Sequence, residues 1–147
     1  MLVGLCLPLR AVYLGDRVAL NFVDLLAFFC CVAGLSLAHV ADSQLAAYSR
    51  SDTLVLDTGV WRLCRHPNHL GEQIWWIGFA LFAVATHNRR DALGFVLNHV
   101  LDTLGTLPLI QRRMLERPSR RTAYRAYMDK TPLLWPNLAS LQRAFAS

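Results

Sequence analysis

The apolar residues of this chain lie in long blocks, and the longest block most narrows what the chain can fold into. Residues 19–40 form a run of 22 residues with one charged side chain, Asp24. A helix of about 20 apolar residues is long enough to cross the hydrocarbon core of a bilayer, which is about 30 Å thick. The composition agrees, because 54% of the 147 residues are hydrophobic and only 17% are charged. We therefore predict an all-α integral membrane protein.

Two further blocks have the composition of membrane helices. Residues 70–86 are 17 residues with one charge near their start, and residues 92–110 are 19 residues with Asp102 inside. The polar residues between them, 87–91, predict the turn of a helical hairpin.

The segments outside these blocks complete the predicted architecture. The first nine residues are too short to span a bilayer and lack the basic start of a signal peptide, and we expect a partial or re-entrant segment over residues 1–18. Residues 111–147 form a basic tail. We predict a single membrane domain over residues 1–147, a polytopic helical bundle with about three transmembrane helices followed by this tail.

Charge sets the predicted orientation of the bundle. Eight of the fifteen Lys and Arg residues follow the last span: Arg112, Arg113, Arg117, Arg120, Arg121, Arg125, Lys130 and Arg143. Because basic residues accumulate on the cytoplasmic side, we expect a cytoplasmic tail. Three crossings then place residues 41–69 on that side too. The expected location is the inner membrane in a bacterium, and the endoplasmic reticulum or another internal membrane in a eukaryote.

The net charge of +5 is explained by lipid rather than by nucleic acid. The basic residues flank the predicted spans, where contact with anionic lipid headgroups is expected. The lipid bilayer is therefore a predicted partner, and nucleic acid is not.

A dense group of polar side chains surrounds the start of the second block. Pro67 is tolerated in the first turn of a helix and biases the residue before it away from helical geometry, so we predict that a helix starts here. Asn68 and Glu72 then lie about one turn apart on one face. Arg62 and Arg65 precede them in the loop. Such a group can bind a cofactor that carries phosphate and an amide, or it can be a helix start with arginines that reach lipid phosphates.

Two other features also have a functional and a structural interpretation. Cys64 lies between two arginines, which either lower the pKa of its thiol or leave it a small boundary residue. Asn98, His99 and Asp102 share a face inside the third span and form either a pocket or proton route, or a set of helix–helix hydrogen bonds. The spacing of His and Cys residues predicts no metal site.

Several motifs together resemble the C-terminal half of the steroid 5-alpha-reductase-like membrane proteins, the DUF1295 group. The resemblance covers roughly residues 5–136. The motifs that carry it are Asp42-Ser43-Gln44, Asp57-Thr58-Gly59-Val60-Trp61-Arg62, Arg65-His66-Pro67-Asn68, Gly71-Glu72 with Trp75-Trp76, Leu107-Pro108-Leu109-Ile110, and Thr131-Pro132-Leu133-Leu134-Trp135-Pro136.

The resemblance implies a membrane oxidoreductase that binds NADPH among its cytoplasmic helix ends. Such an enzyme reduces an activated carbon–carbon double bond of a hydrophobic, steroid-like or lipid-like substrate. It implies no catalytic residue in this chain. The cofactor contacts that it implies are Asn68 and Glu72 at the nicotinamide, Asp42 as an acidic contact, Arg62 and Arg65 at the phosphates, and Tyr124 and Tyr127 from the tail.

The chain also departs from the family pattern, and these departures leave two alternatives open. His69 replaces a tyrosine, and family members are about twice as long, with the acid and tyrosine that polarise the substrate carbonyl in the other half. A truncated or inactive member, acting as a non-catalytic membrane subunit, is therefore one alternative. The other is a methyltransferase like the isoprenylcysteine carboxyl methyltransferases, but Gln111-Arg112-Arg113 stands where those enzymes carry a paired acidic motif.

Overall fold

The computed structural model describes residues 20–51, 53–86 and 89–146, and this part of the chain is helical without a β-strand. The all-α prediction is confirmed for these residues, and the predicted segment 1–18 lies outside them. The elements are helix α1 (Phe22–Tyr48), a 3-10 turn (Gly59–Arg62), helix α2 (Pro67–Ala85), a second 3-10 turn (Arg89–Ala92), helix α3 (Leu93–Leu101), a π-helical turn (Asp102–Thr106), and helices α4 (Leu107–Leu115), α5 (Pro118–Lys130) and α6 (Leu138–Phe145).

Two helices in the described part are long and apolar enough to cross a bilayer: α1 and the continuous stretch Leu93–Leu115. Many of their large apolar side chains are exposed. Six of them on α1, between Leu25 and Leu35, are 44–64% exposed. The core helix of a soluble domain would bury such side chains, so the exposure suits a lipid environment. The block predicted at residues 70–86 forms α2, which is not one of these two helices.

The start of α1 explains the single charge in the first apolar block. The side chain of Asn21 accepts a hydrogen bond from the backbone N–H of Val23, 2.8 Å long, and from that of Asp24. In return, Oδ2 of Asp24 accepts one from the backbone N–H of Asn21 at 2.7 Å. This reciprocal arrangement satisfies N–H groups that a helix start leaves unpaired. Asp24 therefore belongs to the beginning of the helix.

The third apolar block, residues 92–110, contains a π-helical turn because Pro108 follows that turn. Pro108 has no backbone N–H, so the carbonyl of Leu104 loses its usual partner in the helix. The chain widens into a π-helical turn over Asp102–Thr106 and resumes as α4. Wider turns of this kind are rare and frequently occur near functional groups.

The described chain falls into two compact units. Of the described residues, the first unit contains 20–35, 71–86 and 89–105, and the second contains 36–51, 53–70 and 106–146. In the first unit α1 and α2 approach closely at small residues. A Cβ on Gly34 would lie 2.5 Å from both the carbonyl oxygen of Gly71 and the backbone nitrogen of Trp75. Only glycine permits this approach, as is common where membrane helices pack.

Candidate functional site

The polar signature is folded into the second unit by hydrogen bonds to the end of α1. The indole N–H of Trp61 donates to the carbonyl of Ala41 at 3.2 Å, and the backbone N–H of Val60 donates to Oε1 of Gln44 at 3.1 Å. Gly59 has a positive φ of 56°, and a Cβ there would collide with the side chain of Gln44. A glycine is therefore required at this turn.

The tail folds back onto the same signature. The hydroxyl of Tyr127 donates to the carbonyl of Trp61 at 2.6 Å and lies 3.3 Å from that of Cys64. The backbone N–H of Arg65 donates to the carbonyl of Pro132 at 2.9 Å. Burial above all raises the pKa of Tyr127, so its hydroxyl stays protonated and keeps donating. The tail thus contacts the signature directly.

An aromatic-walled cavity of about 180 Å³ lies at this junction, and we call it the aromatic cavity. Rings from four segments of the second unit form much of its wall: Tyr48, Trp61, His66, His69, Tyr124 and Tyr127. Arg65 and Asn68 line it as well. Of the residues predicted to contact a cofactor, the structure therefore brings Arg65, Asn68 and both tyrosines to one place.

Three residues of this wall contain buried polar atoms without a hydrogen-bond partner. They are Nε of Arg65, Nε2 of His66 and Oδ1 of Asn68. A buried polar group left unpaired costs about 1–3 kcal/mol, so native proteins rarely leave several together. All three residues line the aromatic cavity.

The other end of the Arg65 guanidinium is held by an uncharged side chain. Its Nη1 donates to Oε1 of Gln111 at 2.6 Å, across 46 residues of sequence. An amide fixes the orientation of the guanidinium but leaves its positive charge uncompensated. Gln111, which the sequence singled out only as a departure from the methyltransferases, is thus a positioning residue.

Three basic residues line a second, larger cavity in the same unit, and we call it the cationic cavity. Its volume is about 670 Å³, and its wall includes Arg62, Lys130 and Arg143, against one acidic residue, Asp57. Val55 and Tyr127 line both cavities, so the two share part of a wall. Arg62 was predicted from the signature, whereas the two cations from the tail were not.

Two predicted cofactor contacts lie elsewhere. Asp42 is exposed on α1 and lines neither the aromatic nor the cationic cavity. Glu72 is also exposed and belongs to the first unit, although α2 carries it one turn after Asn68. The predicted start of the helix at Pro67 is confirmed. The pairing of Asn68 with Glu72 around one small group stays a prediction.

The environment of Cys64 favours the structural interpretation of its position. The residue is fully buried, and this burial raises the pKa of its thiol to about 11, although a backbone hydrogen bond and Arg65 act in the opposite direction. The thiol is therefore neutral near pH 7 and is a poor nucleophile. The two neighbouring arginines do not activate it.

The first unit contains a separate polar cluster between α2 and the third block. Nε2 of the fully buried Gln73 donates to Oδ2 of Asp102 at 3.2 Å, and its Oε1 lies 3.2 Å from Nδ1 of His99. His99 and Asp102, two of the three residues of the predicted polar face, thus contact a neighbouring helix through polar side chains. Gln73 was not predicted as part of a polar cluster, because a single amide within an apolar block gives no distinct pattern.

Acid should destabilise the protein through His66. Burial, with smaller effects of His69 and Arg65, lowers the pKa of His66 from 6.5 to about 4. The unfolded chain therefore binds the proton first, and stability is full above pH 6.5 and decreases as the pH falls towards 4. We expect a loss of about 2 kcal/mol at pH 5, seen as a lower melting temperature than at pH 7. His66→Gln should abolish most of this difference, and an unchanged difference in that variant would contradict the assignment to His66.

Comparison with known proteins gives a family but no characterised relative. Residues 1–131 match the family described as a protein of unknown function, DUF1295. An uncharacterized protein of Schizosaccharomyces pombe is 36% identical over 86 residues, which make up 55% of this chain and 23% of that protein. The chain spans about a quarter of the length of this curated relative. No solved structure matches the chain.

Proposed function

The chain belongs to the DUF1295 family, and from the two cavities of its second unit we propose that it is the NADPH-binding part of a membrane oxidoreductase. In this proposal the complete enzyme reduces an activated carbon–carbon double bond of a hydrophobic substrate. The reduction rests on the family's resemblance to steroid 5-alpha-reductases. The choice of NADPH as the cofactor is based on the residues that line the two cavities.

The observation that carries the proposal is the group of unpartnered polar atoms around the aromatic cavity. A nicotinamide has a flat ring and a carboxamide, whose NH₂ group donates and whose carbonyl oxygen accepts hydrogen bonds. Oδ1 of Asn68 is suited to accept from the amide NH₂, and Nε of Arg65 to donate to the amide oxygen. The surrounding rings suit the flat faces of a nicotinamide. One small group thus satisfies two of the three buried atoms.

The cationic cavity suits the phosphates of the same molecule. Arg62 and Lys130 both line this cavity with Asp57, and neither side chain is within ion-pair distance of a carboxylate in the described part of the chain. Guanidinium groups bind phosphate through paired, charge-assisted hydrogen bonds. Because Tyr127 and Val55 line both cavities, a molecule with an aromatic amide end and a phosphate end can occupy the two together.

In this proposal the residues of the chain position the cofactor and exclude water. The reduced nicotinamide, when bound, supplies a hydride. Arg65, fixed by Gln111, and Asn68 orient the ring through its amide, and the aromatic wall keeps solvent from its faces. Tyr127 holds the two sides of the site together through backbone carbonyls, so its hydroxyl is a structural group.

The same contacts support a membrane topology with three crossings. The signature before α2 and the tail after α4 touch each other, so the chain between them must leave and return to one side. If Leu93–Leu115 crosses the bilayer, α2 must cross as well. Its 19 residues give a length of about 28 Å, close to the hydrocarbon thickness. The basic tail places both segments on the cytoplasmic side in this proposal.

Asn68→Leu separates a cofactor contact from a structural one. The unpartnered Oδ1 destabilises the free protein, so replacing the amide by an apolar group of similar size should keep or raise the melting temperature. The same change should weaken NADPH binding about tenfold, because the carboxamide loses its acceptor. Isothermal titration calorimetry and thermal unfolding on the same preparation give both values. A lower melting temperature with unchanged NADPH affinity would make Asn68 structural and remove the main support for the proposal.

A further inference from the structure

Helix α6 lies after the segment that matches the family and exposes one apolar face. Leu138, Leu141 and Phe145 recur at intervals of three and four residues and therefore share one side of the helix. They are 72%, 38% and 82% exposed. Trp135, just before the helix, is 46% exposed. Four large apolar side chains within eleven residues, 135–145, are thus each more than a third exposed.

The opposite side of α6 is fixed to the protein. Ser140 is fully buried and forms a reciprocal cap with Asn137, in which each side chain accepts from the other's backbone N–H. Arg143 donates to the carbonyl of Lys130 at the end of α5 and lines the cationic cavity. The helix is therefore held in a defined orientation, and its apolar side is directed away from these contacts.

Charge and composition indicate what covers this face. The unit that contains α6 also contains the ends of both helices that are long and apolar enough to cross a bilayer, so a membrane surface is close by. The intervening α5 carries three exposed or half-exposed arginines and ends in Lys130. Basic residues beside a span attract anionic headgroups, and tryptophan is enriched at the membrane interface. A helix with leucine and phenylalanine on one side suits the same boundary.

We propose that α6 lies in the headgroup region of an anionic bilayer, with Leu138, Leu141 and Phe145 directed towards the acyl chains. This interaction depends on the membrane location and not on the identity of the cofactor. Membrane binding by α6 would also anchor one wall of the cationic cavity, because Arg143 lines that cavity from the opposite side of the helix.

Quenching by labelled lipid tests the proposal on the full chain. The native cysteines Cys6, Cys30, Cys31 and Cys64 are replaced by alanine, and a fluorescent bimane is attached to Phe145→Cys in nanodiscs of phosphatidylcholine and phosphatidylserine. The control probe is on Ala139→Cys, which is exposed on the same helix but points about 120° away. Melting temperatures confirm that both labelled proteins remain folded. We expect acyl-chain spin labels to quench the probe at position 145 several-fold more than the probe at 139, and iodide in the buffer to show the opposite order.

Three results would overturn the proposal. Equal lipid quenching at positions 145 and 139 would show that the apolar face does not meet the acyl chains. An undiminished contrast in nanodiscs of phosphatidylcholine alone would remove the role of anionic lipid. A probe at 145 that is shielded from both quenchers, together with cross-linking between chains at that position, would assign the face to a second copy of the protein.

Discussion

Arg62→Gln is expected to weaken NADPH binding by about ten- to a hundredfold. In the second unit Arg62 lines the cationic cavity, and no acidic partner in the described residues neutralises it. A charge-assisted hydrogen bond contributes about 1.5–3 kcal/mol, which corresponds to that range in affinity. Because a 2′-phosphate adds negative charge that NADH lacks, the loss should be larger for NADPH than for NADH.

The matched control for this change is Arg112→Gln. It removes the same charge from the tail, but Arg112 is 79% exposed, pairs with Glu116 on the surface at 3.0 Å and lines neither cavity. An exposed pair of this kind contributes little to stability. Titration calorimetry should therefore give wild-type affinity for the control. Equal losses in the two variants would mean that the net charge of the tail, and not the cavity, attracts the cofactor.

Gly34→Ala is expected to lower the stability of the first unit by about 1–3 kcal/mol or more. A single methyl at this position would lie 2.5 Å from backbone atoms of Gly71 and Trp75, and backbone cannot turn aside as a side chain can. The helices α1 and α2 must then separate, and the close contacts between them are lost. Thermal unfolding in detergent measures the change.

Gly105→Ala is the matched control for Gly34→Ala. It adds the same methyl within a helical segment of the same unit, but a Cβ on Gly105 meets nothing within 4 Å. Its melting temperature should equal or exceed that of the wild type, since alanine is the better helix former. If Gly34→Ala melts as high as Gly105→Ala, the close packing of α1 on α2 is not needed for stability.

Local spacing was enough to predict the features that one helix or one loop decides. The apolar blocks correspond to helices, and Pro67 does begin α2, because both depend on residues that are close in sequence. The location of the signature and the tail on one side of the membrane stays a prediction, with which the bond of Tyr127 to Trp61 agrees. The family assignment is also confirmed.

Contacts between residues that are far apart in sequence could not be predicted from local spacing. The bond between Arg65 and Gln111 joins positions 46 residues apart, and no periodicity in the sequence indicates that pairing. Lys130 and Arg143 were predicted only as part of a basic tail that contacts lipid. Their position on the wall of the cationic cavity depends on how the tail folds back, which local sequence does not indicate. The π-helical turn had a local signal in Pro108, whose missing N–H interrupts a helix.

The most direct measurement is the binding of three small molecules to the full wild-type chain in nanodiscs. Separate calorimetric titrations use NADPH, NADH and S-adenosylmethionine. We expect saturable NADPH binding, about ten- to a hundredfold tighter than that of NADH. This expectation is based on the unpartnered polar atoms of residues in the aromatic cavity and on the basic residues of the cationic cavity. S-adenosylmethionine should not bind. Binding of S-adenosylmethionine with neither nicotinamide cofactor would contradict the proposal and favour a membrane methyltransferase.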